Sequence, residues 1–126
     1  MKTVCYEFDT IPIKKKKDYI FQNIQNRKLT NICHSHDFYE IIYLLDGTCQ
    51  KYINGEKITM CKGDILILRP FESHVFLSQT ENIKIVCLSV KKSEFERVLT
   101  LYDPKLEQKM ISDPHIVLFR SDRTCS

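Results

Sequence analysis

The dipeptide Asn54-Gly55 is the strongest local constraint on how this chain can fold. It separates the segments "TCQKYI" and "EKITMC", which both read as strands. Asn-Gly is the most favourable two-residue hairpin turn, because both of its positions readily take positive φ. A tight turn at this point pairs Ile53 with Glu56, and counting outwards places Cys49 opposite Met60. The sequence therefore predicts an antiparallel hairpin of known register.

The rest of the first ninety residues has the same character. Short runs rich in β-branched and aromatic residues alternate with turn signals such as Asp46-Gly47 and Gly63-Asp64. Many short strands at close spacing predict an all-β sandwich or barrel, in which closure removes exposed sheet edges. The remaining predicted strands are "VCYEF", "DYIFQ", "LTNIC", "FYEIIYLLDG", "ILIL", "HVFLS" and "IKIVCLSV".

The pattern becomes helical after Val90. Ser93 and Glu96 have the spacing of a capping box, and the apolar residues that follow recur at helical intervals. Asp103-Pro104 is expected to end this helix and to start a second one. The apolar stripe either packs against the barrel or meets another subunit. We expect residues 1–126 to form a single domain, strand-rich over 1–91 and helical over 92–111.

Composition limits the class of protein. A chain of 126 residues with a net charge of +3 is typical of one soluble domain, without the dense basic patch of a nucleic-acid surface. The lysine run at 14–17 is expected to be a solvated loop. Neither a signal peptide nor a membrane-length apolar run is visible, so we expect a cytoplasmic protein whose cysteines are free thiols. These lie at 5, 33, 49, 61, 87 and 125, without a Cys-x-x-Cys pair.

The stretch "HSHDFYE" carries the candidate site. In an extended backbone, His34, His36 and Glu40 differ by even numbers and share one face. His74 follows the next strong strand and is a fourth candidate. Three imidazoles and a carboxylate suit a borderline divalent ion such as Zn, Ni, Fe or Mn. Two alternatives remain open: the same groups hydrogen-bond an effector without a metal, or they form a partly solvated polar cluster.

Two segments resemble the paired motifs of the cupin family. "HSHDFYEIIYLLDG" has the spacing His-x-His-x3-Glu-x6-Gly of the first motif, and "GDILILRPFESH" keeps the glycine-to-histidine distance of the second. The resemblance covers about residues 20–90 and implies a double-stranded β-helix (jelly-roll) barrel, followed here by one or two short helices. It also implies that His34, His36, Glu40 and His74 correspond to the metal ligands of the family.

The wording around these motifs is similar to the N-terminal sensor domain of AraC-type transcription regulators. Besides the two motifs, "INGE" contributes to this resemblance. It implies a small-molecule effector inside the barrel, a homodimer, and DNA binding only through a C-terminal helix-turn-helix domain that is absent from this chain. No catalytic residue is implied. The competing interpretation is a small metal-dependent cupin enzyme, either an oxygenase or an isomerase.

Overall fold

The computed structural model describes residues 4–11, 18–25 and 32–121. These ranges contain a 3-10 helix at Phe8–Thr10 and the helices α1 (Lys92–Tyr102) and α2 (Pro104–Ser112). None of the helices in these ranges is both long and apolar enough to cross a membrane. The strands within the same ranges are β1 (Val4–Tyr6), β2 (Tyr19–Gln25), β3 (His34–His36), β4 (Tyr39–Asp46), β5 (Thr48–Ile53), β6 (Glu56–Cys61), β7 (Ile65–Leu68), β8 (His74–Gln79), β9 (Lys84–Val90) and β10 (Val117–Phe119).

The strands form two five-stranded sheets, one in the order β1-β3-β8-β5-β6 and the other in the order β10-β7-β4-β9-β2. Neighbours pair antiparallel except β1 and β3, which are parallel. Consecutive strands often lie in different sheets, as the jelly-roll prediction requires. Buried residues of both sheets, including Ile42, Leu66 and Met60, belong to one apolar cluster. This cluster is the core of the barrel, and its two sheets position the candidate site.

The predicted hairpin is confirmed in its register. Ile53 pairs with Glu56 and Cys49 pairs with Met60 across β5 and β6. Asn54 and Gly55 have φ values of 48° and 81°, as a two-residue turn of this type requires. The local turn chemistry alone thus fixed which residues of these two strands face the core.

Two early predictions fall wholly or partly on residues that the structure does not describe. The lysine run at 14–17 lies outside the described residues. So does most of the predicted strand "LTNIC", and its last two residues, Ile32 and Cys33, are not in a strand. The strand in this region is instead β3, which begins at the first histidine.

The predicted capping box at the start of α1 is wrong. The helix begins at Lys92, and Lys91 precedes it without any side-chain cap. The residue after β9 ends is Lys91, so Ser93 already lies inside the first turn. The Glu96 carboxylate instead accepts hydrogen bonds from Lys92 Nζ at 2.7 Å and from a tyrosine hydroxyl of the barrel.

The start of α2 agrees with the prediction. The Asp103 carboxylate accepts a hydrogen bond from the Lys105 backbone N–H at 3.0 Å, and Pro104 occupies the first helical position. Because proline has no N–H to lose and its φ already suits a helix, this position favours it. Asp103 therefore caps the second helix where the first one ends.

The apolar residues of α1 are divided between two surroundings. The Phe95 ring stacks on Tyr39 of β4 with centroids 4.1 Å apart, which packs the helix against the outside of the barrel. Val98, Leu101 and Tyr102 remain exposed, the last two at 73% and 85%. Packing on the barrel therefore accounts for only part of the stripe.

The prediction that the cysteines are free thiols holds for Cys5, Cys33, Cys49 and Cys87 but is wrong for Cys61, which is disulfide-bonded. The spacing of the cysteines gave no signal for this bond. The Ser121 backbone N–H donates to Asp64, close after Cys61, at 2.8 Å, so two segments far apart in sequence lie close together there.

Candidate functional site

Three strands bring the predicted site residues together. His34 on β3 pairs directly with His74 on β8 in the first sheet. The chain bends at Asp37 and Phe38 and crosses into the second sheet, where Glu40 lies near the start of β4. The bend keeps the glutamate close to the histidines even though the two strands belong to different sheets.

Three of the four side chains form a compact group. The ligand atoms of His36, Glu40 and His74 all lie within 4.8 Å of one another. Both histidines are buried, and the Glu40 side chain is 17% exposed. His34 is not part of this group, but its ring lies 4.0 Å from that of His74 and 6.3 Å from that of His36 between centroids. It is half-buried and lies at the rim.

Backbone carbonyls fix the orientation of each imidazole. The Nδ1 atoms of His34, His36 and His74 lie 2.8, 2.8 and 3.1 Å from the carbonyl oxygens of Ile32, Phe38 and Glu72. A carbonyl can only accept, so each neutral ring carries its proton on Nδ1 and presents a lone pair on Nε2. Histidines that bind metals are held in this way.

The Nε2 atoms of the two buried histidines have no hydrogen-bond partner among the described residues. His36 Nε2 lies 2.8 Å from Glu40 Oε2. Two ligand atoms that each lie about 2.1 Å from one ion are about 3 Å apart. The donor set, and the spacing of this pair, therefore suit a divalent metal.

The charges also suit a cation. Burial by itself would raise the pKa of Glu40, but the contact with His36 and the positive charge nearby lower this pKa to about 2. Burial lowers the pKa of His74 to about 3 and also lowers the pKa of His34. The site thus contains an ionised carboxylate beside two histidines, His34 and His74, whose neutral form is favoured, and an ionised carboxylate with neutral imidazoles is what binds a metal.

Two further residues line the interior, and sequence reasoning missed both. Cys87 on β9 donates from Sγ to Glu40 Oε1 at 3.1 Å. Lys51 on β5 is completely buried, and its Nζ lies 4.0 Å from the centroid of the Phe76 ring. The predicted hairpin contained a signal for Lys51, because strict alternation puts it on the same face as Cys49.

Arg69 is committed to structure. Its guanidinium forms an ion pair with Glu72 at 3.1 Å. It also donates to the carbonyl oxygens of Met110, Asp113 and His115 at the end of α2. All of its donors are occupied, so it does not reach an anionic effector. His115 itself is exposed in a loop.

A cleft of about 480 Å³ lies on the outside of the barrel, between β4 and the helices. Its polar lining includes Tyr39, Arg69, Glu72, Lys92 and Glu96. These groups already bind one another in ion pairs and hydrogen bonds. The interior group differs, because its buried nitrogen atoms lack partners within the described part of the chain.

Residues 18–117 match the family model of the AraC-like ligand-binding domain. The chain belongs to this family. Solved structures similar to this AraC-like domain include a cupin protein from Bacteroides fragilis, with 25% identity over 60% of this chain and 68% of that one, at a TM-score of 0.51. A comparison with curated proteins gave no match.

Two further solved structures share the fold. A cupin-2 domain protein from Shewanella frigidimarina is 22% identical over 61% of this chain and 74% of its own, with a TM-score of 0.52. A variant of apo ToxT from Vibrio cholerae is 14% identical over 85% of this chain, with a TM-score of 0.58, and the match spans 43% of ToxT. These likenesses establish a cupin jelly-roll for the AraC-like domain.

Proposed function

We propose that residues 1–126 form the effector-sensing domain of an AraC-type transcription regulator that acts in the cytoplasm. The family match supports this role, and the inward-facing group His36, Glu40 and His74 supports an interior site. DNA binding would belong to a separate C-terminal helix-turn-helix domain. A ligand switches such a protein only if it prefers one arrangement of the domain over another.

The same group, with His34 at its rim, is proposed to hold one divalent metal of the Zn, Ni, Fe or Mn type. The observation that carries this proposal is the close grouping of the three ligand atoms, two of which are buried Nε2 atoms without a hydrogen-bond partner among the described residues. A bound ion would supply positive charge and open coordination positions for an oxygen of the effector. The residues themselves orient the ligand atoms and keep them unprotonated.

Titration calorimetry with Zn²⁺ and with Ni²⁺ on chelator-treated protein tests the metal site. We expect Glu40→Gln and His74→Asn to weaken binding by more than about a hundredfold, since loss of a mere supporting contact costs ten- to a hundredfold. The matched control is His115→Asn, an exposed histidine. Equal affinity in the wild type and the two site variants would refute the assignment.

A regulator of this class is also expected to dimerise, and we propose the exposed apolar residues of α1 as the interface. Leu101 and Tyr102 are the most exposed large apolar side chains in the described ranges. We expect Leu101→Glu to weaken the dimer by at least about tenfold in sedimentation velocity experiments. Leu77→Glu, on an exposed face of β8, should not. Unchanged dimerisation of Leu101→Glu would exclude α1 as the interface.

The alternative of a cupin oxygenase or isomerase rests on the same group, since three protein ligands would leave positions open on a metal. To discriminate between the two, binding of operator DNA is measured for the chain joined to a helix-turn-helix domain, with and without metal and effector. Effector-dependent DNA binding supports the regulator. Turnover of a substrate without any effect on DNA binding would support the enzyme.

A further inference from the structure

Lys51 occupies an unusual position for a lysine. It is 0% exposed and shares the inward face of β5 with Cys49 and Ile53 of the core. Across the first sheet it pairs with Phe76, while Ile53 pairs with His74. Lys51 is therefore a diagonal neighbour of His74 on the adjacent strand. Residues in such positions are about 7–8 Å apart.

The ammonium donors of Lys51 are not satisfied. Nζ has no hydrogen-bond partner among the described residues. The charge of Glu40 acts on Lys51 at a distance, but its carboxylate makes no hydrogen bond to Nζ. The Phe76 ring covers one side of Nζ and favours a positive charge, but it accepts no ordinary hydrogen bond. An amine buried without an acceptor is costly.

We propose that Lys51 anchors the carboxylate of a small organic acid that binds inside the barrel as the effector. This inference rests on the proposed effector-sensing function and adds the chemical class of the ligand. The carboxylate would accept a charge-assisted hydrogen bond from Nζ, and the polar remainder of the acid would extend towards His74 and His34.

A carboxylate suits this position better than a neutral hydroxyl or a phosphate. Burial lowers the pKa of Lys51 in the ligand-free domain, whereas a negative ligand restores the charge that Phe76 already favours. Charge-assisted hydrogen bonds are about twice as strong as neutral ones. A phosphate would call for several donors, and Arg69 is fully engaged outside the barrel.

The test compares acids with neutral molecules of nearly the same shape, namely galacturonate with galactose and lactate with lactamide. In calorimetry on the wild-type chain, we expect at least one acid to bind about ten- to a hundredfold tighter than its partner. Lys51→Met should abolish this preference. Lys57→Met, an exposed lysine on β6, should keep it.

Equal binding of acids and neutral partners would overturn the proposal, as would binding of neither acid at millimolar concentration. A preference that persists in Lys51→Met would overturn it too. So would an adduct with a carbonyl compound that borohydride traps, since the amine would then form an imine with loss of water, which hydride reduces to a stable secondary amine.

Thermal unfolding of ligand-free Lys51→Met separates a binding role from a structural one. Removing an amine that lacks an acceptor should raise Tm, whereas removing a lysine that holds the fold together would lower it and contradict the proposal. Metal titration of Lys51→Met separates the acid anchor from the metal site. If this variant loses the acid preference but still binds metal, the result supports Lys51 as the acid anchor. If it loses the acid preference and neither it nor the wild type binds metal, only the metal site is refuted.

Discussion

The Nδ1 contacts of the barrel histidines determine what their other nitrogen atoms can do. Each Nδ1 lies against a carbonyl oxygen two residues away, so the ring orientation is set within a short stretch of chain. The Nε2 atoms of His36 and His74 then lie close to the Glu40 carboxylate, without a hydrogen-bond partner among the described residues. A bound cation would supply the partner that these buried atoms lack.

The burial of His74 predicts a pH dependence of stability. Its pKa falls from 6.5 to about 3 in the folded state, so between these values the unfolded chain binds more protons. Stability is therefore lost as pH falls below 6.5. Glu40 adds a loss in the same direction below pH 4.5. In urea unfolding of metal-free protein, we expect His74→Asn to show a smaller change between pH 6.5 and 4.5.

The control for this measurement is His115→Asn, whose exposed side chain should leave the profile unchanged. His34 also has a lowered pKa because of its burial, so some slope should remain in the His74 variant. A wild-type profile that is flat over this pH range would contradict the burial of a neutral imidazole at position 74.

At this scale the sequence predicted which residues converge but not all of what surrounds them. The spacing of His34, His36 and Glu40 indicated a shared face, and His74 was added because it follows a strong strand and matches the second motif. Lys51 was missed because a single lysine in a strand usually faces solvent. The alternation of β5 placed it on the face of Cys49, but its complete burial depends on the opposite wall of the barrel.

Among the elements, the turn before β5 leaves less room for a side chain than the hairpin turn after β5. Gly47 has a φ of +86°, and a Cβ there would lie 2.5 Å from Thr80 Oγ1. That hydroxyl accepts from the Thr48 backbone N–H at 2.9 Å, so it cannot move without losing a hydrogen bond. Gly55 also has positive φ, but a Cβ there would meet nothing within 4 Å.

We therefore expect Gly47→Ala to lower the free energy of unfolding by about 2–4 kcal/mol and Gly55→Ala by only about 1 kcal/mol. The first change combines backbone strain with the clash, whereas the second has strain alone. Urea unfolding of both variants at one pH measures the difference. Similar losses in the two variants would contradict the close packing at Gly47.

Arg69 connects α2 to the loop between β7 and β8, which leads into His74. Its ion pair with Glu72 adjoins His74, and its bonds to the carbonyl oxygens of Met110 and Asp113 hold the end of the helix. We expect Arg69→Leu to lower the free energy of unfolding by about 3 kcal/mol, because Glu72 would be left buried and unpaired. Chemical denaturation measures this loss.

The comparison variant is Arg97→Leu, which removes a solvent-exposed ion pair with Glu94 on α1. Its unfolding midpoint should stay close to that of the wild type, since exposed pairs contribute little. If the two arginine variants unfold alike, the contacts of Arg69 with α2 do not stabilise the domain.

An element was predicted correctly when nearby residues alone determine it, and wrongly when distant parts of the chain do. The β5–β6 hairpin was predicted in register because Asn54-Gly55 alone determines it. The start of α1 was predicted wrongly because the helix begins at Lys92, shortly after the end of β9. Ser93 therefore lies inside the first turn and cannot be the N-cap. Glu96 instead pairs with Lys92 one turn earlier in the helix and accepts a hydrogen bond from Tyr39 of the barrel.

For the whole molecule, the site exists because two sheets close on each other. Glu40 belongs to one sheet, while His34, His36 and His74 belong to the other. Loss of sheet packing would therefore separate the carboxylate from the imidazoles. The sequence predicted this closure through two motifs, and the match of residues 18–117 to the AraC-like ligand-binding domain agrees with it. The disulfide at Cys61 left no signal in the spacing of the cysteines.

The most direct test of the account is elemental analysis of the chain purified without added metal or a histidine tag. We predict about one Zn, Ni, Fe or Mn per chain in the wild type, and much less in Glu40→Gln and His74→Asn. His115→Asn should match the wild type. Metal-free wild-type protein that also fails to take up any of these ions on titration would contradict a metal site at His36, Glu40 and His74.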